Sequence, residues 1–245
     1  MPRANRHFLP GYIWHITHRC HKKEFLLRFA KDRRRWIYWL FQARKRFGLS
    51  VLNYMVTSNH VHLLVKDGGK GEIPRSMQLV ASRTAQAYNR RKSRNGAFWE
   101  DRYHATAVQT DDHLSKCLVY IDLNMVRAGI VRHPGDWPHC GFHEIQQAPA
   151  KFRIIDQTAL LDIFRVESID RLRALHLNWI SVELCRTDAQ GRDPRWTESI
   201  AVGQGEFVEN FKHGLGCRAP GRQVIELDGG YQLKEAPVPY IRKRG

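Results

Sequence analysis

The order in which two hydrophobic periods succeed each other along residues 11–127 leaves few folds open to this chain. Residues 11–20, GYIWHITHRC, alternate Tyr12, Trp14 and Ile16 against Ile13, His15 and Thr17, the period of a strand. From Phe25 to Phe47 the spacing becomes helical, with Phe25, Phe29, Trp36, Leu40 and Phe47 apolar, arginines between them and Gly48 placed to end the helix. LSVLNYMVT and HVHLLVKD predict two strands joined by a turn at Ser58-Asn59. After the loop DGGKGE, a second helix is predicted from about Pro74 to Arg91. A strand over residues 97–109 and a third helix from about Asp112 to Arg127, ending at Gly129, complete the run. This order is that of an α+β, ferredoxin-like antiparallel sheet with helices packed on one face.

Past residue 150 the texture changes. TALLDIFRVESIDRLRALHLNWISVEL is helical in pattern, TESIAVGQGEFVENFKHGLG reads as one or two short helices, and VIELDGGYQLKE carries the Asp-Gly mark of a hairpin. The expectation is a boundary near residue 150, with one domain over residues 1–150 and a small, mainly helical accessory region over 151–245 that helps grip a ligand or occlude a site.

Charge narrows the partner. Residues 1–100 hold 21 Lys/Arg against 5 Asp/Glu, whereas 101–150 balance at −2 and 151–245 at +2, so the +16 of the whole chain is concentrated in its first two-fifths. A polarised basic field attracts a polyanion through counterion release. Runs such as KDRRRW and NRRKSR are individually explained as solvated helix faces; their sum favours nucleic acid, and no amphipathic interfacial segment points to a membrane. No run of 18 apolar residues and no leader-like N-terminus is present, which predicts a soluble, unexported protein. The five cysteines are scattered and never form a Cys-x-x-Cys pair, which argues against a disulfide frame or a zinc ribbon and fits a reducing cytoplasm, with nucleoid association when DNA is bound.

Two features carry chemistry. His60 and His62 stand at i and i+2 of a predicted strand, so both imidazoles leave the same face while Val61 points the other way. They converge either on a divalent cation or on hydrogen-bond partners of their own. In the third helix Leu114, Leu118, Ile121 and Met125 share one sector and His113, Lys116, Tyr120, Asn124 and Arg127 another. Tyr120 and Asn124, one turn apart, point into the same space; a tyrosine there either packs its ring on the sheet edge or presents its phenol to a substrate.

Four segments taken together, SNHVHLLV (58–65), FWEDRY (98–103), YIDLNMVRAGIV (120–131) and DWPHCGFHE (136–144), resemble the REP-associated tyrosine transposases, a branch of the single-tyrosine HUH transposases. The resemblance spans roughly residues 10–145. It implies cleavage and rejoining of single-stranded or hairpin DNA at palindromic repeats, with Tyr120 as nucleophile, His60, His62 and Asn124 as metal ligands, Mg²⁺ or Mn²⁺ as cofactor and no nucleotide cofactor. Met125 stands where many relatives have proline after the asparagine, and Ser58 where many have proline before the histidine pair; neither touches a reacting group.

In that chemistry the phenolic oxygen attacks a phosphodiester to give a 5′-phosphotyrosine and free a 3′-hydroxyl, keeping the bond for rejoining. A free phenol titrates near pH 10, so attack at neutral pH needs the metal and nearby cations such as Lys116. Paired imidazoles suit Mn²⁺ better than Mg²⁺. Tyr103 on the predicted strand is the main rival nucleophile, ahead of Tyr54 and Tyr88. Trp99 and Arg102 either stack on and clamp an unpaired base or serve as a core tryptophan and an edge arginine. Arg3, Arg6, Arg33 to Arg35 and Arg90 to Arg94 read collectively, with Lys116 and Arg127, as a phosphate-facing field. A non-catalytic nucleic-acid-binding module or a metal-dependent phosphodiesterase that uses water are the alternatives. Whether the chain is a monomer or a dimer is not legible.

Overall fold

The computed structural model describes residues 9–186, 191–216 and 221–235. Arg3, Arg6 and Cys217 lie outside these residues. Strand β1 (Ile13–Arg19) is followed by helix α1 (Ala30–Phe47), strands β2 (Ser50–Val56) and β3 (His60–Lys66), helix α2 (Glu72–Lys92), strand β4 (His104–Val108) and helix α3 (Asp112–Asp122). These elements form an antiparallel sheet in the order β2-β3-β1-β4, the ferredoxin-like arrangement expected from the sequence. The turn at Thr57 to Asn59 fixes the register of β3, because the Thr57 hydroxyl donates to the His60 carbonyl at 2.8 Å and accepts from the His60 amide at 3.1 Å.

Four expectations need correction. The helix predicted from Phe25 begins at Ala30, because the Arg33 guanidinium bonds the Leu27 and Arg28 carbonyls and fastens the preceding segment as a loop that leaves Phe25 65% exposed. The strand predicted over 97–109 is reduced to His104–Val108, since Trp99 is pinned sideways, its indole N–H donating to the Ala81 carbonyl at 3.0 Å. The third helix breaks at Leu123 (φ −81, ψ 5), and a single turn, α4 (Asn124–Arg127), carries on from it. Helices also cover both faces of the sheet. α3 lies over the face bearing His15 and His62, while His18, of opposite parity on β1, stacks at 4.0 Å on Trp99, which α2 holds.

Beyond α5 (Phe142–Gln146) lie α6 (Gln157–Phe164), α7 (Ile169–Leu184), α8 (Arg195–Glu198), β5 (Ala201–Gly203), α9 (Gly205–Leu215) and a hairpin of β6 (Arg222–Leu227) and β7 (Gly230–Glu235) turning at Asp228-Gly229. This region is helix-rich but also prolongs the sheet: β5 pairs parallel with β4, and β7 and β6 follow, giving seven strands. Among the described residues no helix is long and apolar enough to cross a membrane.

The expected apolar sector of α3 packs on the sheet, with Leu114, Leu118, Ile121 and Met125 all buried. Its end is fastened by a buried polar network. Asp122 accepts from the Asn53 amide at 3.0 Å and meets the His176 ring at 2.7 Å, and the other nitrogen of His176 meets the Gln146 amide at 2.8 Å. Asp122 and His176 are 0% and 1% exposed. Asp122→Ala would leave Asn53 and His176 without their shared acceptor in the interior, and a loss of about 3 kcal/mol or more is expected. Urea unfolding followed by circular dichroism measures it; a midpoint equal to wild type would contradict the network's role.

Candidate active site

His60 and His62 leave the sheet on the same face, with ring centroids 4.9 Å apart and planes at 79°. Nδ1 of His60 lies 2.7 Å from the Asn59 side-chain oxygen, which can only accept, so this nitrogen carries the ring hydrogen and Nε2 is left with a lone pair. His62 is 2% exposed; its Nδ1 lies 2.9 Å from His15 Nε2, and its Nε2 accepts from the Asn124 amide at 3.0 Å. Asn124 lines the same cavity as the His60 ring. The break at Leu123 therefore does not separate Tyr120 from Asn124: both face the histidine pair.

Tyr120 is 8% exposed, yet it is not sealed in the interior. Its ring lies 6.0 Å from His62, 6.2 Å from His15 and 6.2 Å from Trp196, centroid to centroid. Together with Arg127 it forms the wall between two cavities. One, of about 770 Å³, is lined by His60, His62, Asn124, Arg102 and Arg192 among others. The other, of about 680 Å³, is lined by Lys116, Trp179, Arg186 and Trp196 among others. The Arg127 guanidinium sits 4.0 Å from the ring centroid and bonds the Tyr120 carbonyl. Burial raises the phenol's pKa above its ordinary value, and the charges of Arg127 and Arg192 oppose that rise. Lys116, expected as the helping cation, is exposed and lines the second cavity only; Arg127 and Arg192 are the cations that act on the phenol.

The remaining sequence candidates separate. Tyr103 is buried with its ring 6.2 Å from His18, on the opposite side of β1 from His62. Tyr54 lies in β2, its phenol pushed up by burial, and Tyr88 packs on Phe98. Trp99 uses one ring face on His18, while Arg102 is exposed at the rim of the histidine cavity. Of the basic runs, Arg34, Arg35, Arg90 and Lys92 are exposed, whereas Arg33 is buried and Arg91 is paired with Asp32 at 2.5 Å.

Two site residues escaped the sequence reading. Arg192, bonded to Thr197 and Glu198 at 2.8 and 3.0 Å, reaches the histidine cavity from the C-terminal region. His15, 0% exposed, touches His62 from the neighbouring strand. His15 alternates with Trp14 and Ile16 in the first strand, but only the adjacency of β1 and β3 makes that parity meaningful.

The donor set fits a divalent cation. Burial, then the charges of Arg19 and Arg192, lowers the His60 pKa to about 4; burial and the neighbouring rings hold His62 well below its ordinary value. Neutral imidazoles are what ligation requires. Among the described residues no group of three or more His, Cys, Asp or Glu side chains could hold a metal, and the polar side chain in contact with the imidazole pair is the Asn124 amide, at 3.0 Å from His62 Nε2. Two imidazoles and an amide suit an open site better than a closed structural zinc.

The buried histidines make stability sensitive to acid. His15 titrates at about 3, His60 at about 4 and His139 at about 4, each lowered first by burial, against an ordinary value near 6.5. Between pH 6.5 and about 4 the unfolded chain binds more protons than the folded one. Stability is therefore expected to be full above pH 7 and to fall as pH is lowered through that window, by on the order of several kcal/mol at pH 5. Thermal melts between pH 7.5 and 4.5 test this; a flat profile would refute it.

Tyr120 and Asn124, one turn apart, thus face the His60-Val61-His62 strand on a ferredoxin-like sheet. Residues 10–124 match the family described as IS200-like transposase, so the resemblance read from the sequence holds, and the family is one of enzymes that act on DNA. A solved REP-associated tyrosine transposase bound to a REP hairpin is similar in fold, at 16% identity and TM-score 0.52, covering 64% of this chain and 94% of that one. A Deinococcus radiodurans protein assigned as a transposase aligns at 13% identity and TM-score 0.35, covering 52% and 97%. No curated protein matches the chain.

Proposed function

We propose that this protein cleaves and rejoins single-stranded or hairpin DNA through a covalent 5′-phosphotyrosine on Tyr120, with Mg²⁺ or Mn²⁺ held by His60, His62 and Asn124. The observation that carries the reading is the approach of the Tyr120 ring to within 6.0 Å of His62 on the wall of a cavity that His60 and Asn124 share. Hairpin DNA as substrate is carried over from the REP hairpin bound by the similar transposase.

In the proposed step the Tyr120 oxygen forms a bond to the scissile phosphorus and the bond to the 3′ oxygen breaks. The phenolic proton leaves to solvent, and the departing oxygen takes one up as a 3′-hydroxyl. Arg127 and Arg192 favour the phenolate against the effect of burial. His60 and His62 would hold the cation through their Nε2 lone pairs and Asn124 through its side-chain amide. A divalent cation held by these residues would supply Lewis-acid polarisation of the phosphate. Exposed Arg34, Arg35, Arg90, Lys92 and Arg102 supply sequence-independent attraction for the backbone. The C-terminal region contributes through Arg192, which lines the cavity that the scissile phosphate would enter.

The test uses the full chain with single-stranded hairpins labelled at the 5′ or the 3′ end, in Mn²⁺ and in EDTA. Label from the 3′-labelled hairpin retained on the protein in a denaturing gel, only with metal, and release of the 5′-labelled fragment with a free 3′-hydroxyl, support the reading. Cleavage with no protein-linked product would instead indicate hydrolysis, and binding without cleavage across a panel of palindromic hairpins would indicate a recognition module.

A further inference from the structure

We infer that His15 is a positioning residue for the metal site, and that the C-terminal region, through the carbonyl of Trp196, sets the tautomer in which His62 can bind a cation. The inference rests on reading His62 as a ligand and adds what orients it. His15 Nδ1 lies 2.8 Å from the Trp196 carbonyl oxygen and His15 Nε2 lies 2.9 Å from His62 Nδ1. A carbonyl oxygen only accepts, so the His15 hydrogen must be on Nδ1. In a neutral ring the opposite nitrogen then holds a lone pair, and the only hydrogen that can fill the 2.9 Å gap is the one on His62 Nδ1. The Nε2 of His62 is thereby left bare, which agrees with its accepting from the Asn124 amide at 3.0 Å. One backbone oxygen orders the hydrogens of two rings in sequence.

The clamp is rigid at its far end. The Trp196 indole is buried, and the segment after it is tied to β4 through the Thr106 hydroxyl and the His104 ring, which reach the Ser199 carbonyl at 2.6 and 2.9 Å. The His15 and His62 rings lie within 9° of parallel, as a bond between in-plane nitrogens allows. Trp196 lies outside the span 10–124 that matches the transposase family, so this support comes from a part of the chain that the family match does not include. A hydrogen-bonded group behind a ligating imidazole fixes its tautomer and raises its basicity, and removing such a partner weakens metal affinity by about 10- to 100-fold.

The experiment measures Mn²⁺ binding by calorimetry and by the loss of the free Mn²⁺ paramagnetic-resonance signal, for wild type, His15→Phe and His15→Gln, alongside imidazole ¹H–¹⁵N correlations of the metal-free chains. Wild type is expected to bind Mn²⁺ and to show His62 protonated on Nδ1. His15→Phe is expected to weaken Mn²⁺ by about 10- to 100-fold and to redistribute the His62 hydrogen toward Nε2. His15→Gln keeps an acceptor for His62 and a donor for the carbonyl, and is expected to recover most of the affinity. Mn²⁺ affinity in His15→Phe equal to wild type overturns the inference, as does a wild-type His62 carrying its hydrogen on Nε2. Equal losses in both variants with the His62 tautomer unchanged assign the effect to packing and overturn it as well. Should His15→Phe fail to fold, the wild-type tautomer and the Gln variant still decide. A wild-type chain that binds no Mn²⁺ refutes the metal reading of the site itself, a different result from normal binding that ignores His15.

Discussion

Tyr120→Phe is expected to lower strand cleavage by about 10⁴-fold or more and to leave no DNA attached to the protein, while the fold and hairpin affinity stay close to wild type. The substitution removes one oxygen and keeps the ring. The contacts that fix that ring, with His62, His15 and Trp196 at 6.0 to 6.2 Å and the Arg127 guanidinium at 4.0 Å, survive in phenylalanine. Hairpin affinity is expected to rest on the exposed cations spread over α1, α2 and the cavity rim, none of which is altered. The matched control is Tyr103→Phe, whose ring faces His18 across the strand from the histidine pair; its cleavage should remain within a few-fold of wild type. Rates come from single-turnover cleavage of labelled hairpins, and attachment from denaturing gels. An adduct that persists in Tyr120→Phe, or one lost in Tyr103→Phe, would reassign the nucleophile.

The difference between those two tyrosines marks how far the sequence reaches. Tyr120 and Asn124 lie one turn apart on a strongly periodic segment, and their shared direction follows from helix geometry even though the helix breaks at Leu123 between them. His60 and His62 share a face by strand parity alone. Tyr103 resisted assignment because the aromatic run 97–103 mimics a strand; its true path is set by tertiary contacts, the Trp99 bond to Ala81 and the stack on His18. The start of α1 was likewise displaced by a long-range demand, the Arg33 bonds to Leu27 and Arg28.

What remained illegible depends on which strand lies beside which. His15 becomes part of the site only because β1 pairs with β3, in a register that sets Thr17 opposite His62 and His15 opposite Leu64. Arg192 comes from a polar loop without periodicity, more than 60 residues beyond Asn124, and nothing local announces where it lands. β5, three residues long, is too short to leave a pattern, although it carries the sheet from β4 toward the C-terminal hairpin that the Asp-Gly turn did reveal. Residues fixed by a local period were readable, and residues fixed by a second chain segment were not.

The same contrast selects the variant that tests the proposed metal site. His60 stands at the first residue of β3, half-buried, with its Nδ1 side bonded to Asn59 and Thr57, so His60→Ala removes a proposed ligand without opening the sheet. His62, 2% exposed and joined to His15, would confound loss of ligation with a cavity in the interior. His60→Ala is therefore expected to lower Mn²⁺ affinity by about 100-fold or more and Mn²⁺-dependent cleavage by about 10³-fold or more, because the scissile phosphate loses the charge that polarises it. Hairpin affinity measured in EDTA should match wild type, since sequence-independent attraction does not pass through the metal. A binding-only module would show no cleavage to lose, and a water-using phosphodiesterase would lose cleavage in His60→Ala while retaining it in Tyr120→Phe. Wild-type cleavage by His60→Ala in EDTA would contradict the paired-imidazole site and leave Tyr120 acting with Arg127 and Arg192 alone.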